Sequence, residues 1–163
     1  MEKLKEIAHI SGKAGLYKIV KPTRTGVIVE TLDAKKEKSV VGSNAKVSVL
    51  NEISVFMEEH QDSSKPLAEI LSSMNAKYTD GLDFVPKELS EQKLTEKFLE
   101  IEPNFDRERV YPSDIKKIFS WFGILKSNMA EIFVEEKAIA EEVAEVAEEK
   151  VTEKPVSKAK KKA

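Results

Sequence analysis

The stretch from residue 101 to residue 125 constrains the fold most strongly, because it holds five of the eleven aromatic side chains in the chain. A run of four charged residues, 106–109, lies among them. Six apolar side chains share one face at helical spacing: Ile115, Ile118, Phe119, Trp121, Phe122 and Leu125. So wide a stripe predicts a helix that is buried on more than one side. The block also has the composition of a docking surface, and both interpretations stay open.

Residues 16–56 are predicted to form a small β module. Runs rich in β-branched residues lie at 16–20, 27–32, 37–41 and 46–56, and turn-forming sequences separate them. Pro22 is expected to end the first strand, and Gly26 to complete the turn that follows. Four or five strands at about ten-residue spacing are typical of a small SH3-like antiparallel barrel. A short helix over residues 1–9 is expected to support it, since so small a module buries little surface alone.

Three helices are predicted over residues 66–77, 90–101 and 113–125. Ser64, Ser90 and Ser113 are expected to cap them, and Gly123 to end or kink the third helix. The predicted class is α+β, with three parts. They are a β-barrel domain with its N-terminal helix at 1–57, a three-helix domain at 66–128, and a Glu-rich then Lys-rich tail at 129–163 that is disordered or partly helical.

Cysteine is absent from the chain, which excludes disulfides, thiolate metal sites and cysteine nucleophiles. This composition is typical of a protein in a reducing compartment. The first residues lack the apolar core of a secretory signal. No apolar run approaches the roughly 20 residues that span a bilayer. We therefore expect a soluble cytoplasmic protein with no membrane partner.

No sequence pattern predicts a catalytic residue, a metal ligand or a cofactor. Residues 11–15 superficially resemble a phosphate loop, but Ala14 follows the lysine, and a strand rather than a helix follows the loop. His9, expected at the end of the first helix, and His60, expected in a polar linker at 58–65, are the only histidines, and neither has a partner near in sequence. No nucleophile–base set is visible. An enzyme with an unrecognised carboxylate site stays a remote alternative.

Basic side chains define two candidate binding surfaces. The first, in a region with ten Lys and Arg against six Asp and Glu over residues 1–57, consists of Lys13, Lys18, Lys21, Arg24, Lys35 and Lys36. It is a candidate phosphate-binding face with Tyr17 as a stacking ring, or else a solvated face that keeps strand edges from aggregating. The second consists of Arg107, Arg109, Lys116 and Lys117 beside the aromatic block. It is a docking surface, or else it pairs internally with Asp106, Glu108 and Asp114.

The segments ISGKAGLYKIV, GVIVETLD and VSVLNEISVF, followed by PNFDRERVYPSDIKKIFSWFGIL, resemble a family of small uncharacterised proteins from Bacteroidota. In that family an N-terminal domain of unknown function precedes a second, helical domain of unknown function. The resemblance covers about residues 3–125. It implies a two-part layout and a bacterial cytoplasmic setting, and it implies no activity, cofactor or site residue.

These features leave two main hypotheses for the function. The first is a non-enzymatic adaptor that docks on a larger cytoplasmic protein assembly. The second is an RNA- or DNA-associated factor that uses the basic β-module face and the Lys-rich end of the tail, where residues 150–163 hold six Lys and one Glu. The oligomeric state is not predicted.

Overall fold

The structure is a computed structural model that describes residues 2–59 and 63–134. His60 and the part of the predicted tail from residue 135 onward lie outside the described residues. Residues 129–134 of that tail are described, and Ile132 and Phe133 are buried in the core rather than disordered. The strands are β1 (Ile7–Ile10), β2 (Tyr17–Thr23), β3 (Gly26–Thr31), β4 (Lys38–Gly42), β5 (Val47–Val49), β6 (Ser54–Phe56) and β7 (Ser64–Pro66). The α-helices are α1 (Leu67–Lys77), α2 (Glu91–Leu99) and α3 (Pro112–Asn128), and 3-10 helices span Glu2–Glu6 and Leu50–Glu52. The predicted α+β class is confirmed.

Strands β1 to β5 form one antiparallel sheet in the order β4-β3-β2-β1-β5, and β6 pairs with β7 in a separate two-stranded sheet. The larger sheet is not closed, because β4 and β5 lie at its two edges rather than beside each other. The barrel closure expected from the sequence is therefore not found among the described residues. Strand β5 has only three residues before the chain enters the 3-10 helix at Leu50.

Two expectations about the first strands are wrong. Residues 7–10 form β1 rather than continuing a helix, so His9 lies in a strand that pairs with β2 and β5. Burial of Ile7 and Ile10 within the sheet outweighs their helix-compatible spacing. Pro22 does not end β2 but pairs with Val27 inside it. Because β1 pairs with β2 only as far as Lys18, the missing N–H of Pro22 faces no neighbouring strand.

The helix caps follow the predicted pattern in one case of three. Ser90 caps α2, where its hydroxyl accepts a hydrogen bond from the Lys93 amide. Ser64 instead belongs to β7, and α1 begins directly after Pro66 without a side-chain cap. Ser113 lies inside α3, since Pro112 occupies its first turn, where a missing N–H costs no helical hydrogen bond. Gly123 does not end α3, which continues to Asn128.

One large buried cluster joins the sheet to the helices. It includes Leu4, Ile7 and Leu50 from the first part of the chain, and all six residues of the apolar stripe on α3. The prediction of a helix buried on more than one side is thus confirmed. A second, smaller cluster of Ile10, Val29 and Val41 lies apart from it. None of the described helices is long and apolar enough to cross a membrane.

Candidate functional site

A groove of about 230 Å³ lies where β1, β5, β6 and α3 meet. We call it the junction groove. Its lining residues come from four separate stretches of the chain: His9, Ser48, Ile53, Ser54, Val55, Phe56, Arg109, Val110, Asp114, Lys117, Ile118 and Trp121. It is the place where the predicted aromatic block and two of the predicted basic residues come together with the sheet.

His9 and Trp121 are in ring contact within the groove. His9 lies opposite Ser48 in the pairing of β1 with β5, and its ring centroid is 5.2 Å from that of Trp121 on α3. The Nδ1 atom of His9 is buried and has no hydrogen-bond partner among the described residues. The indole of Trp121 is almost fully buried. The interior of the groove is therefore aromatic, and its polar edge is supplied by side chains at the rim.

Arg109 is held at the rim by a turn that Asp106 organises. One carboxylate oxygen of Asp106 accepts hydrogen bonds from the amides of Glu108 and Arg109, at 2.9 and 3.1 Å. The other oxygen lies 3.1 Å from Nε of Arg109. The Asp106 amide donates to the Phe56 carbonyl at 2.9 Å, which ties the turn to β6. As a result the guanidinium lies over the Phe56 ring, 5.0 Å from its centroid.

Only one of the other three basic residues near the aromatic block lines the junction groove. Lys117 lines the groove and pairs with Asp114 at 3.1 Å. Arg107 and Lys116 do not line it. Arg109 and Lys117 therefore form the internal ion pairs that one of the two interpretations predicted. Both side chains nevertheless remain at the rim of the groove, with 38% and 52% of their surface exposed.

The basic residues of the sheet do not meet in one place. Lys13 follows β1 and Lys35 and Lys36 follow β3, and antiparallel pairing brings these two connections to the same end of the sheet. Arg24 lies in the β2–β3 turn at the opposite end. Lys18 pairs with Glu6 at 3.3 Å, and Lys21 lies at a bulge within β2. The set that the sequence predicted is thus split between two ends of the sheet.

Asp33 organises the turn that carries Lys35 and Lys36. The Thr31 hydroxyl donates to its carboxylate at 2.7 Å, and the Lys35 amide does so at 3.1 Å. These bonds, chiefly the one from Thr31, hold the pKa of Asp33 below its ordinary value of 3.8. Because the folded-state pKa is lowered, the stabilisation is present above the ordinary value and is lost as the pH falls through the lowered one.

Replacing Thr31 with valine is expected to raise the pKa of Asp33, since the largest cause of its lowering is removed. NMR titration of the Asp33 carboxyl group measures this directly. Thr23→Val is the matched control, because the Thr23 hydroxyl donates to the Gly26 carbonyl at the other end of the sheet. A Thr31→Val protein in which Asp33 titrates unchanged would contradict the assignment.

A larger and more open cleft of about 790 Å³ lies between α3 and the loop at 80–87. We call it the outer cleft. Val85 and Lys126 line it, and Gly123 lies in its wall. None of the predicted site residues is in this cleft. From the sequence, Gly123 is predicted to end or kink the third helix, and that pattern does not indicate a cleft.

Outside the two clefts, one buried carboxylate belongs to a structural ion pair. Glu102 is buried and accepts a bond from Lys65 Nζ at 2.6 Å, which satisfies its charge. Within residues 2–59 and 63–134, no group of three or more His, Asp or Glu side chains is placed to hold a metal ion.

Comparison with known proteins gives two family matches and one related structure. Residues 4–50 match a domain of unknown function (DUF5606), and residues 53–125 match a second domain of unknown function (DUF6852). A solution NMR structure of a protein from Bacteroides vulgatus, determined by a structural genomics consortium, is 36% identical. The match covers 77% of this chain and 87% of that one, with a TM-score of 0.64. No curated protein matches the chain.

Proposed function

We propose a non-enzymatic protein-binding function for this chain, which belongs to an uncharacterised family in which these two domains of unknown function follow each other, as its sequence resemblance predicted. It docks on a larger cytoplasmic protein assembly through the junction groove. The observation that carries the proposal is the Arg109 guanidinium over the half-exposed Phe56 ring, at the rim of a groove that contains Trp121.

The composition of the groove supports protein binding. Arginine and aromatic side chains are the residues most enriched among those that contribute most to protein–protein affinity. Asp106 fixes Arg109 before any partner arrives, so less side-chain entropy is lost on binding. At about 230 Å³ the groove is smaller than typical small-molecule sites, which begin at roughly 300 Å³. It fits one or two side chains of a protein partner.

The geometry gives less support to the nucleic-acid alternative. A phosphate backbone is bound by several cations along one continuous surface. Here Lys13, Lys35 and Lys36 lie at one end of the sheet, Arg24 lies at the other, and Lys18 is paired with Glu6.

We further propose that the sheet is an opened SH3-like barrel, since β5 returns to pair with β1.

The test is affinity capture from native lysate with the full chain as bait. Phe56→Ser and Arg109→Glu are each expected to reduce recovery of a stoichiometric protein partner at least about tenfold, because each removes part of the rim. Val85→Ser, at an apolar residue of the outer cleft that is 51% exposed against 43% for Phe56, is the matched control and should recover the partner normally.

Two outcomes would count against the proposal. One is a partner retained equally by Phe56→Ser and Arg109→Glu. The other is recovery of RNA or DNA alone, with an affinity that falls steeply as salt rises from about 50 to 200 mM, which would favour the nucleic-acid alternative.

A further inference from the structure

Strand β5 has a neighbouring strand on one side only in the part of the chain that the structure describes. It is an edge strand of the five-stranded sheet, and β1 is its partner. The pairs are Ala8 with Val49, His9 with Ser48, and Ile10 with Val47. An edge strand presents a row of backbone donors and acceptors that can pair with another chain.

The register shows which backbone groups face outward. The Ser11 amide donates to the Lys46 carbonyl at 2.9 Å, which makes this a hydrogen-bonded pair. Hydrogen-bonded and non-hydrogen-bonded pairs alternate along an antiparallel ladder. His9 and Ser48 are therefore hydrogen-bonded to each other. Val47 directs both its N–H and its C=O group away from β1, toward the open edge. Val49 directs its N–H group the same way, while its carbonyl lies at the N-cap of the 3-10 helix Leu50–Glu52.

The open edge of β5 borders the junction groove. Ser48, between the two outward-facing valines, is itself part of the groove lining. Side chains of a strand point alternately to the two faces of its sheet. A strand added to β5 would thus place every second side chain on the same face of the sheet as Ser48, the face that the groove occupies.

We propose that an extended, acidic peptide segment of the partner adds to the edge of β5 as a sixth strand. Its backbone pairs with Val47 and Val49, an apolar side chain packs in the groove, and its carboxylates face Arg109, Lys117 and Lys46. This inference rests on the proposed protein-binding function. It gives that function a binding mode, β-strand addition, and a partner chemistry.

Charge supports an acidic partner rather than a second copy of the chain. Arg109 and Lys117 line the groove and pair with Asp106 and Asp114, and yet 38% and 52% of their side-chain surfaces stay exposed to a partner. Lys46, which is exposed, precedes β5 directly. A second copy would offer the sequence Lys-Val-Ser-Val of its own residues 46–49, which contains no carboxylate.

Val49→Pro tests the backbone pairing alone. The φ angle of Val49 is −71°, which proline adopts without strain, and the N–H that proline lacks is the outward one. Val49→Ala is the control for the lost side chain. The full chain and both variants are applied to an array of random octapeptides. We expect captured peptides to be enriched in Asp and Glu, and capture to fall at least about tenfold for Val49→Pro and about twofold or less for Val49→Ala.

A second measurement keeps the test decisive if Val49→Pro does not fold. Captured peptides are resynthesised with single backbone N-methyl groups. Methylation at alternate positions, where the amide faces β5, should abolish binding by the unmodified protein, and methylation at the intervening positions should not.

Several results would overturn strand addition of an acidic peptide. One is capture of peptides by Val49→Pro equal to capture by the unmodified chain, and another is peptide binding that N-methylation does not change. Enrichment of basic peptides, or no capture of any peptide, would also overturn it. Concentration-dependent dimerisation in sedimentation that Val49→Pro abolishes would make a second copy the occupant. Preferential capture of a peptide of residues 131–149, which hold eight Glu and one Lys, would make this chain itself the occupant.

If Phe56→Ser and Arg109→Glu lose the lysate partner while Val49→Pro keeps it, only the binding mode fails. If all three keep it, the proposed function fails as well.

Discussion

Gly26→Ala is expected to destabilise the protein by more than about 4 kcal/mol, enough to lower the melting temperature by roughly 15 °C or to abolish the cooperative transition. A Cβ atom at this position would lie 1.9 Å from the Val41 carbonyl oxygen and 2.9 Å from the Gly42 Cα. Both are backbone atoms of β4, and they cannot move away without breaking the ladder from Gly26–Gly42 to Glu30–Lys38. The φ angle of 157° is also one that side chains rarely adopt.

Gly42→Ala provides a matched control, because Gly42 is paired directly with Gly26. A Cβ atom at Gly42 would meet nothing within 4 Å. Its melting temperature, followed by circular dichroism, should stay within a few degrees of the unmodified protein, since substitutions away from close contacts usually change stability by about 0.5 kcal/mol or less. If Gly26→Ala melted like Gly42→Ala, the close approach of β3 and β4 would be wrong.

Phe98→Ala is expected to reduce the free energy of unfolding by about 3–5 kcal/mol, because it leaves a cavity in the fully buried centre of the helical part. The Phe98 ring makes edge contacts with Phe105 at 4.9 Å and with Phe119 at 6.2 Å between centroids. Both contacts are lost together with the buried area. Chemical denaturation gives the change in free energy directly, with the midpoint shifted and the slope retained.

Tyr111→Ala is the aromatic control for this prediction, since the Tyr111 side chain is 61% exposed. Its main structural contribution is a backbone carbonyl at the start of α3, which alanine also supplies. A loss of stability from Tyr111→Ala equal to that from Phe98→Ala would show that the aromatic block is organised differently from the structure described here.

The sequence predicted the elements whose signals are local. The apolar stripe of α3 follows from the 3.6-residue period, and the Ser90 cap follows from a side chain next to its own helix. Strand β1 was missed because four residues are too few to distinguish a strand from a helical turn, and its pairing partners lie in β2 and β5.

The junction groove could not be predicted because its members are far apart in the sequence. The contact of His9 with Trp121 joins residues more than a hundred positions apart, and Phe56 meets Arg109 only because Asp106 binds the backbone of β6. Sequence composition placed Arg109 and Lys117 among the candidate residues but gave no sign of Phe56 or Ser48 as their neighbours. The splitting of the sheet lysines likewise follows from strand directions, which composition does not contain.

The two family matches meet between residues 50 and 53, and yet Leu50 before that border and Val55 after it are buried in the same cluster, together with Leu4 and Ile70. Each segment therefore completes the interior of the other. Recombination that separated them would leave both with uncovered apolar surface, which selection removes. The border between the two family matches is therefore not a boundary between independently stable domains. We expect the two segments to occur together in one chain in related proteins.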